Sequence, residues 1–198
     1  ARRSRTRVSD MGVVSSRESY FDAGLDVLSD LGYGGLKLAE VCQRLGVTSG
    51  SFYHHFPSWP VYTRALVDHW REGMTVKVVL ASRTEADPRQ RIASLMEAGL
   101  ALPHGAEAAI RVWSSIDPGV RSVQAEVDRQ RFEAVYESTL EILHDERQAE
   151  LFAAWAIYLL VGYEQAILPP DTDGLAWIIA QLLQALDSGR FSSVPDDD

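Results

Sequence analysis

The run Leu38–Phe56, LAEVCQRLGVTSGSFYHHF, constrains the fold more tightly than any other stretch of this chain. Leu38, Val41, Cys42 and Leu45 recur three and four residues apart, which marks one face of a short helix. Gly46 can take the left-handed conformation that stops such a helix. Thr48 stands where the N-cap of the next helix belongs. That second helix ends in an aromatic run, Phe52-Tyr53-His54-His55-Phe56. Two short helices around a tight turn at Leu45-Gly46-Val47 form a helix-turn-helix, which places its second helix in the major groove of double-stranded DNA.

The net charge of -9 argues against nucleic acid until its distribution is considered. Ten of the 19 basic and eight of the 28 acidic residues lie in residues 1–77, so that part carries +2 and the rest −11. A mildly basic head on an acidic body presents one face to DNA and turns the remainder away. The longest uncharged apolar run, Leu151–Tyr163, has 13 residues. A membrane span needs about 20, so no membrane association is expected. The single cysteine, Cys42, lies on the apolar face described above. It reads as a buried small hydrophobe rather than a redox sensor. One cysteine permits no disulfide within the chain, which fits a reducing cytoplasm.

The fold class is all-α, with about nine helices and no strand alternation. Residues 1–14 read as a flexible basic arm. Ser15 and Glu18 form a capping box that opens helix 1, which Gly32 ends. Helix 2 is expected over Lys37–Leu45 and helix 3 over Ser49–His55. Helix 4, capped by Ser58, runs to about Ala81. Asp87-Pro88 and Asp117-Pro118 are cap-plus-proline starts for helices 5 and 7. Between them, helix 6 covers about Ala106–Ser115, and helix 7 reaches about Leu143. Helix 8, about Gln148–Leu168, is apolar nearly all round and must be buried on several sides. Pro169-Pro170 stops it, and helix 9 spans about Thr172–Leu186. The expected units are a DNA-binding domain over 15–57, a linking helix over 58–81, and a ligand-binding and dimerisation domain over 82–190. The acidic tail 191–198 is expected to be disordered.

Residues 16–77 resemble the TetR family of bacterial transcription regulators. The resemblance rests on Phe21-Asp22-Ala23-Gly24-Leu25, Leu31-Gly32-Tyr33 and Ala39-Glu40-Val41. It rests most of all on the run Leu45 to Phe56, LGVTSGSFYHHF. It implies an Ω-shaped homodimer whose helices 1–3 bind an operator. It further implies that helix 4 links head to body, helices 5–7 form much of a ligand pocket, and helices 8 and 9 make the dimer bundle. Three positions depart from the family pattern. Leu36 replaces a threonine at the start of helix 2, Ser49 replaces a basic residue, and Trp59 replaces a lysine that opens helix 4.

The exposed N-terminal residues of a recognition helix meet base edges, which here selects Thr48, Ser49 and Ser51. Gly50 keeps a side chain away from the DNA. The resemblance places Tyr53 and His54 at backbone phosphates, where a phenol O–H or imidazole N–H donates. Phe52 and Phe56 pack the helix onto its neighbours. Lys37 reaches a phosphate or is simply solvated, and the same two readings apply to Arg2, Arg3, Arg5 and Arg7. Adjacent His54 and His55 point about 100° apart, so no metal site is expected there.

In the body, Met74, Met96, Trp113, Phe132, Tyr136, Trp155 and Tyr158 either line a pocket for a small apolar or amphipathic effector or fill the core. Arg111 and Arg121 pair with surface acids or with an anionic ligand. No nucleophile–base pair, metal cluster or phosphate-binding glycine loop stands out, so neither an enzyme nor a cofactor is expected. The expected function is that of a DNA-binding transcriptional regulator, a cytoplasmic homodimer and repressor released from its operator by a small molecule. The alternative, motivated by Ser49 and Trp59, is a helical ligand-binding or protein-interaction module that has lost its DNA affinity.

Overall fold

The computed structural model describes residues 16–194. Among these, every regular element is helical. Helix α1 spans Arg17–Gly35, α2 Leu38–Leu45 and α3 Ser49–His55. The long α4 consists of Trp59–Arg71, a π-helical stretch Glu72–Val76, and Lys77–Ser82. Then follow α5 (Pro88–Leu100), α6 (His104–Ser114), α7 (Pro118–Leu143), α8 (Glu146–Gln165) and α9 (Thr172–Asp187), and a 3-10 turn over Arg190–Ser193. With α4 taken as one helix, the described residues hold nine, in the expected order.

Side-chain caps fix most of the starts. Thr48, Ser58, Asp87, Asp117, Asp145 and Asp171 each accept a backbone N–H from the first turn that follows. Each satisfies a donor that the helix itself leaves unpaired. Gly46 ends α2 at φ 64°, a left-handed conformation that other side chains rarely tolerate.

Several boundaries differ from the sequence reading. Ser16, not Ser15, caps α1, accepting from Ser19 N at 3.2 Å. Ser15 lies outside the described residues, as does the arm with Arg2, Arg3, Arg5 and Arg7. Gly32 breaks α1 at φ 66°, yet one more helical turn continues to Gly35. Helix α6 starts two residues before Ala106, at His104. Helix α8 stops at Gln165, three residues short of Leu168. Ile167 and Leu168 face solvent, so another turn would have nothing to pack against. Pro169 also disfavours helical backbone at Leu168. The tail is ordered further than expected, because Phe191 is buried edge-on against Phe152 at 5.5 Å. Residues 195–198 lie outside the described part.

Two apolar cores hold the molecule. The first is aromatic. Tyr20 and Phe21 of α1 meet Phe52 of α3, Phe56 and Tyr62 of α4, all at most 8% exposed. Tyr62 Oη donates to the Tyr20 carbonyl at 2.7 Å, and burial pushes this phenol's pKa well above its ordinary value. The same core continues into α6 and α7 through Ile110, Trp113 and Val127. A Cβ on Gly105 would lie 2.8 Å from the Ser29 carbonyl oxygen, so only glycine lets α6 start this close to α1. Head and body therefore share packing, and residue 57 is no packing boundary. The second core joins α5, α7, α8 and α9 around Ile92, Phe152, Leu175 and Leu182. Cys42 is buried, and that burial raises its thiol pKa. No helix of the described residues is long and apolar enough to cross a membrane.

Candidate functional site

The helix-turn-helix presents its second helix outward. The inner side of α3 is pinned by Phe52, fully buried. Arg17 of α1 fixes its C-terminal end, donating from Nη1 to the His55 carbonyl at 3.1 Å while its guanidinium lies 4.5 Å above the Phe56 ring. Lys37, Thr48, Ser49, Gly50, Tyr53 and His54 are all exposed on this side of the head. Two of the candidate hydroxyls carry structural bonds. Thr48 Oγ1 accepts from Ser51 N at 3.4 Å, and Ser51 Oγ accepts from Tyr20 Oη at 3.0 Å. Ser51 is accordingly half-buried. Lys37 occupies the N-cap position of α2 without a side-chain capping bond. A Cβ at Gly50 would meet only Thr48 Oγ1, at an ordinary 3.5 Å. Nothing in the fold requires glycine there. This surface combines a cation, hydroxyls, a phenol and an imidazole, the groups that bind phosphates and base edges.

A cavity opens in the body between α4, α5, α7, α8 and α9. Its atom-free space, counted out to its opening on solvent, is about 660 Å³. Met74 and Thr75 bring the π-helical stretch of α4 to its wall, opposite Ile179 and Leu182 of α9. Such π turns occur disproportionately at functional sites.

Thr75 and Arg131 of the cavity wall belong to a buried ionic cluster. Glu107 of α6 is 1% exposed. Its carboxylate accepts from Trp70 Nε1 at 2.7 Å and from both Nη atoms of Arg131 at 3.0 Å. Arg131 Nε also donates to Thr75 Oγ1 at 3.0 Å. Four residues from three helices thus meet on the π stretch, and the pairing neutralises both charges where water cannot.

A second buried acid, Glu164 of α8, lies with His104 at the start of α6, Nδ1 to Oε1 3.3 Å. Burial raises the Glu164 pKa, and the nearby Glu107 charge adds to the rise. The His104 hydrogen bond, the Arg131 charge and the His104 charge oppose it. An acid whose pKa rises on folding binds more protons in the folded state, so stability falls as pH climbs from the ordinary value of 4.5 toward the raised one. Glu164→Gln is expected to flatten that decline. Melting curves at a series of pH values from 4.5 to 8 check it, and an unchanged slope refutes it.

Of the seven pocket-or-core candidates named from sequence, Met74 and Met96 line the cavity. Trp113 instead stacks on Tyr33 at 4.8 Å, where head meets body. Phe132 and Tyr136 stack on each other along α7, at 6.1 Å, and pack against the second core. Trp155 and Tyr158 are 42% and 74% exposed on α8. A helix that is apolar on all sides does not reveal which side meets the cavity. Arg111 is held bidentately by Asp128, and Arg121 donates to the Ser114 and Ser115 carbonyls. Thr75, Gly99, Glu107 and Arg131 were not identified from sequence. A signal for Arg131 was present. It falls on the buried stripe of α7 marked by Val120, Gln124, Val127, Ala134 and Val135, and a charge on such a stripe implies a buried partner.

Comparison with known proteins fits this geometry. The family model described as "Bacterial regulatory proteins, tetR family" matches residues 21–58. The chain is similar to the HTH-type transcriptional regulator BetI of Pectobacterium carotovorum subsp. carotovorum (strain PC1), 27% identical over 101 residues. That match covers 49% of this chain and 51% of the relative, about half the length of each. Among solved structures, a transcriptional regulator from Saccharomonospora viridis in complex with choline aligns with TM-score 0.66 at 15% identity, over 91% of this chain and 98% of that one. FadR of Bacillus subtilis in complex with stearoyl-CoA aligns with TM-score 0.64 at 14% identity, over 88% and 99%. At these identities the likeness is one of fold. The likeness to the TetR family of bacterial regulatory proteins rests on the head, where residues 21–58 match the family model.

Proposed function

We propose that this chain is a DNA-binding transcriptional regulator, a cytoplasmic homodimeric repressor that a small molecule in the body cavity releases from a palindromic operator. The observation that carries the reading is the outward face of α3, with Ser49, Gly50, Tyr53 and His54 exposed around a helix that Phe52 and Arg17 hold rigid. Thr48 retains hydroxyl capacity for base edges beyond its structural bond, Ser51 lies beside it at the start of the same helix, and Lys37 with Tyr53 and His54 supplies phosphate contacts. The linking role falls to α4, since it contributes to the head core, the ionic cluster and the cavity wall. Ligand bound there shifts the population toward a dimer geometry whose heads no longer match adjacent major grooves. The dimer is supported by Trp155 and Tyr158 on α8 and Trp177 and Ile178 on α9, all exposed in the single chain. Large apolar groups clustered on two neighbouring helices mark an interaction surface.

Gly50→Ala separates function from fold. It is expected to leave stability unchanged or slightly higher, because the added methyl meets no clash and alanine favours helix. It is expected to weaken binding to DNA fragments selected from a random pool, because the methyl faces the groove. Tyr53→Phe should weaken all sequences alike and reduce the salt dependence by roughly one phosphate contact. Parent-like DNA affinity and salt slope in both variants would refute this DNA-binding face. Sedimentation showing only monomer at micromolar concentration would refute the dimer.

A further inference from the structure

The chemistry of the cavity wall identifies the class of molecule it takes, a step that rests on the cavity being the effector site. Thr75 and Arg131 are the polar side chains on the wall, and the rest of the lining is aliphatic, methionine or glycine. A wall of aliphatic and methionine side chains with two polar groups suits a hydrocarbon chain carrying one polar head. Removing such a chain from water supplies the affinity, at about 0.8 kcal/mol per buried CH₂.

The polar end decides the head group. A guanidinium carries five N–H donors and no acceptor. Arg131 gives Nε to Thr75, one Nη1 proton to Glu107 Oε2, and Nη2 to Glu107 Oε1, with a long contact of 3.5 Å from Nη2 to the Met74 carbonyl. That leaves the second Nη1 proton without an acceptor among the described residues. The cavity wall therefore carries a side chain with a donor to spare. The wall carries no net charge there, because Glu107 already neutralises Arg131. A carboxylate entering here would set a second anion beside the buried Glu107, with one guanidinium to serve both. A quaternary ammonium would approach a wall whose one charged side chain is a cation.

We propose that the cavity binds a neutral, straight-chain lipid-like molecule, an alcohol or simple ester, whose oxygen accepts the remaining N–H of Arg131. Its chain lies along Met96, Gly99 and Leu182. The oxygen then draws on a guanidinium that also holds Thr75 and Met74, so occupancy bears directly on the π stretch of α4.

The test is calorimetric titration of the full chain, without DNA, using decanol, methyl decanoate, decanoate at pH 8 and decyltrimethylammonium, each below its micelle concentration. Decanol and methyl decanoate are expected to bind. Decanoate is expected to bind about ten-fold or more weakly than its ester, the cost of the second buried anion. The ammonium is expected not to bind. Gly99→Leu is expected to abolish ester binding with an unchanged melting curve, because a Cβ at Gly99 meets nothing within 4 Å and the side chain extends into the space. Should that variant melt early, Gly99→Ala offers a smaller obstruction and is expected to weaken the ester selectively. Equal affinity for decanoate and its ester overturns the head-group assignment. Full ester affinity in a folded Gly99→Leu overturns the location, and no binding of either neutral probe overturns the class. Operator binding is measured in a separate assay, so its failure leaves this outcome readable, and the reverse holds too.

Discussion

Glu107→Ala is expected to destabilise the protein by about 3–5 kcal/mol, the usual cost of stranding a buried charge. The stranded charge is Arg131, whose side chain is 11% exposed and whose main acceptors are the two Glu107 oxygens. Trp70 also loses its acceptor, and its indole is fully buried. The damage does not come from losing attraction alone. Glu107→Leu combined with Arg131→Met removes both charges at similar volume, and is expected to recover all but the indole's desolvation cost, about 1–3 kcal/mol. Denaturant unfolding of the two variants decides the matter. Equal stability of the single and double variants would mean that the ion pair does not behave as a buried one. Since the cluster joins α4, α6 and α7 at the cavity, the double variant is also expected to uncouple ligand binding from DNA release.

Phe56→Ala is expected to cost about 3–5 kcal/mol, as large aromatic truncations in packed cores do. Phe56 sits at the centre of the head, its ring centroid 5.7 Å from Tyr20, 5.6 Å from Phe21, 5.3 Å from Phe52 and 5.0 Å from Tyr62. Arg17 covers one of its faces and thereby holds the end of α3. The loss should be greatest in the head, so DNA binding is expected to fail at temperatures where the body cavity still takes up a ligand. Hydrogen exchange measured element by element checks this. Uniform loss of protection across α1 to α9 would mean that the shared core makes head and body one cooperative unit. The packing of Gly105 against Ser29 and of Trp113 on Tyr33 gives that outcome a physical route.

The helix-turn-helix was legible because its signals are local. Thr48 as cap, Gly46 as left-handed stop and the apolar spacing of Leu38, Val41, Cys42 and Leu45 act within a few residues of one another. The same holds for the Asp-Pro starts of α5 and α7, whose cap bonds span two or three residues. Helix ends were less legible. The end of α8 depends on whether Ile167 and Leu168 find a neighbour, and sequence carries no record of that.

The sequence by itself determined the elements, their order and the face of α3 that meets solvent, since these follow from backbone bonding and from helical period. Tertiary structure alone decided the cavity. Seven aromatic and methionine residues stood out as ligand candidates because large apolar groups line pockets and fill cores alike, and period does not tell those uses apart. Packing sent Trp113 to the joint with the head, turned Trp155 and Tyr158 outward, and kept Met96 on the wall. It also brought Trp70, Thr75, Glu107 and Arg131, which lie up to 61 positions apart, to one buried point. A buried charge is tolerable only beside its partner, and which partner that is depends on how three helices pack.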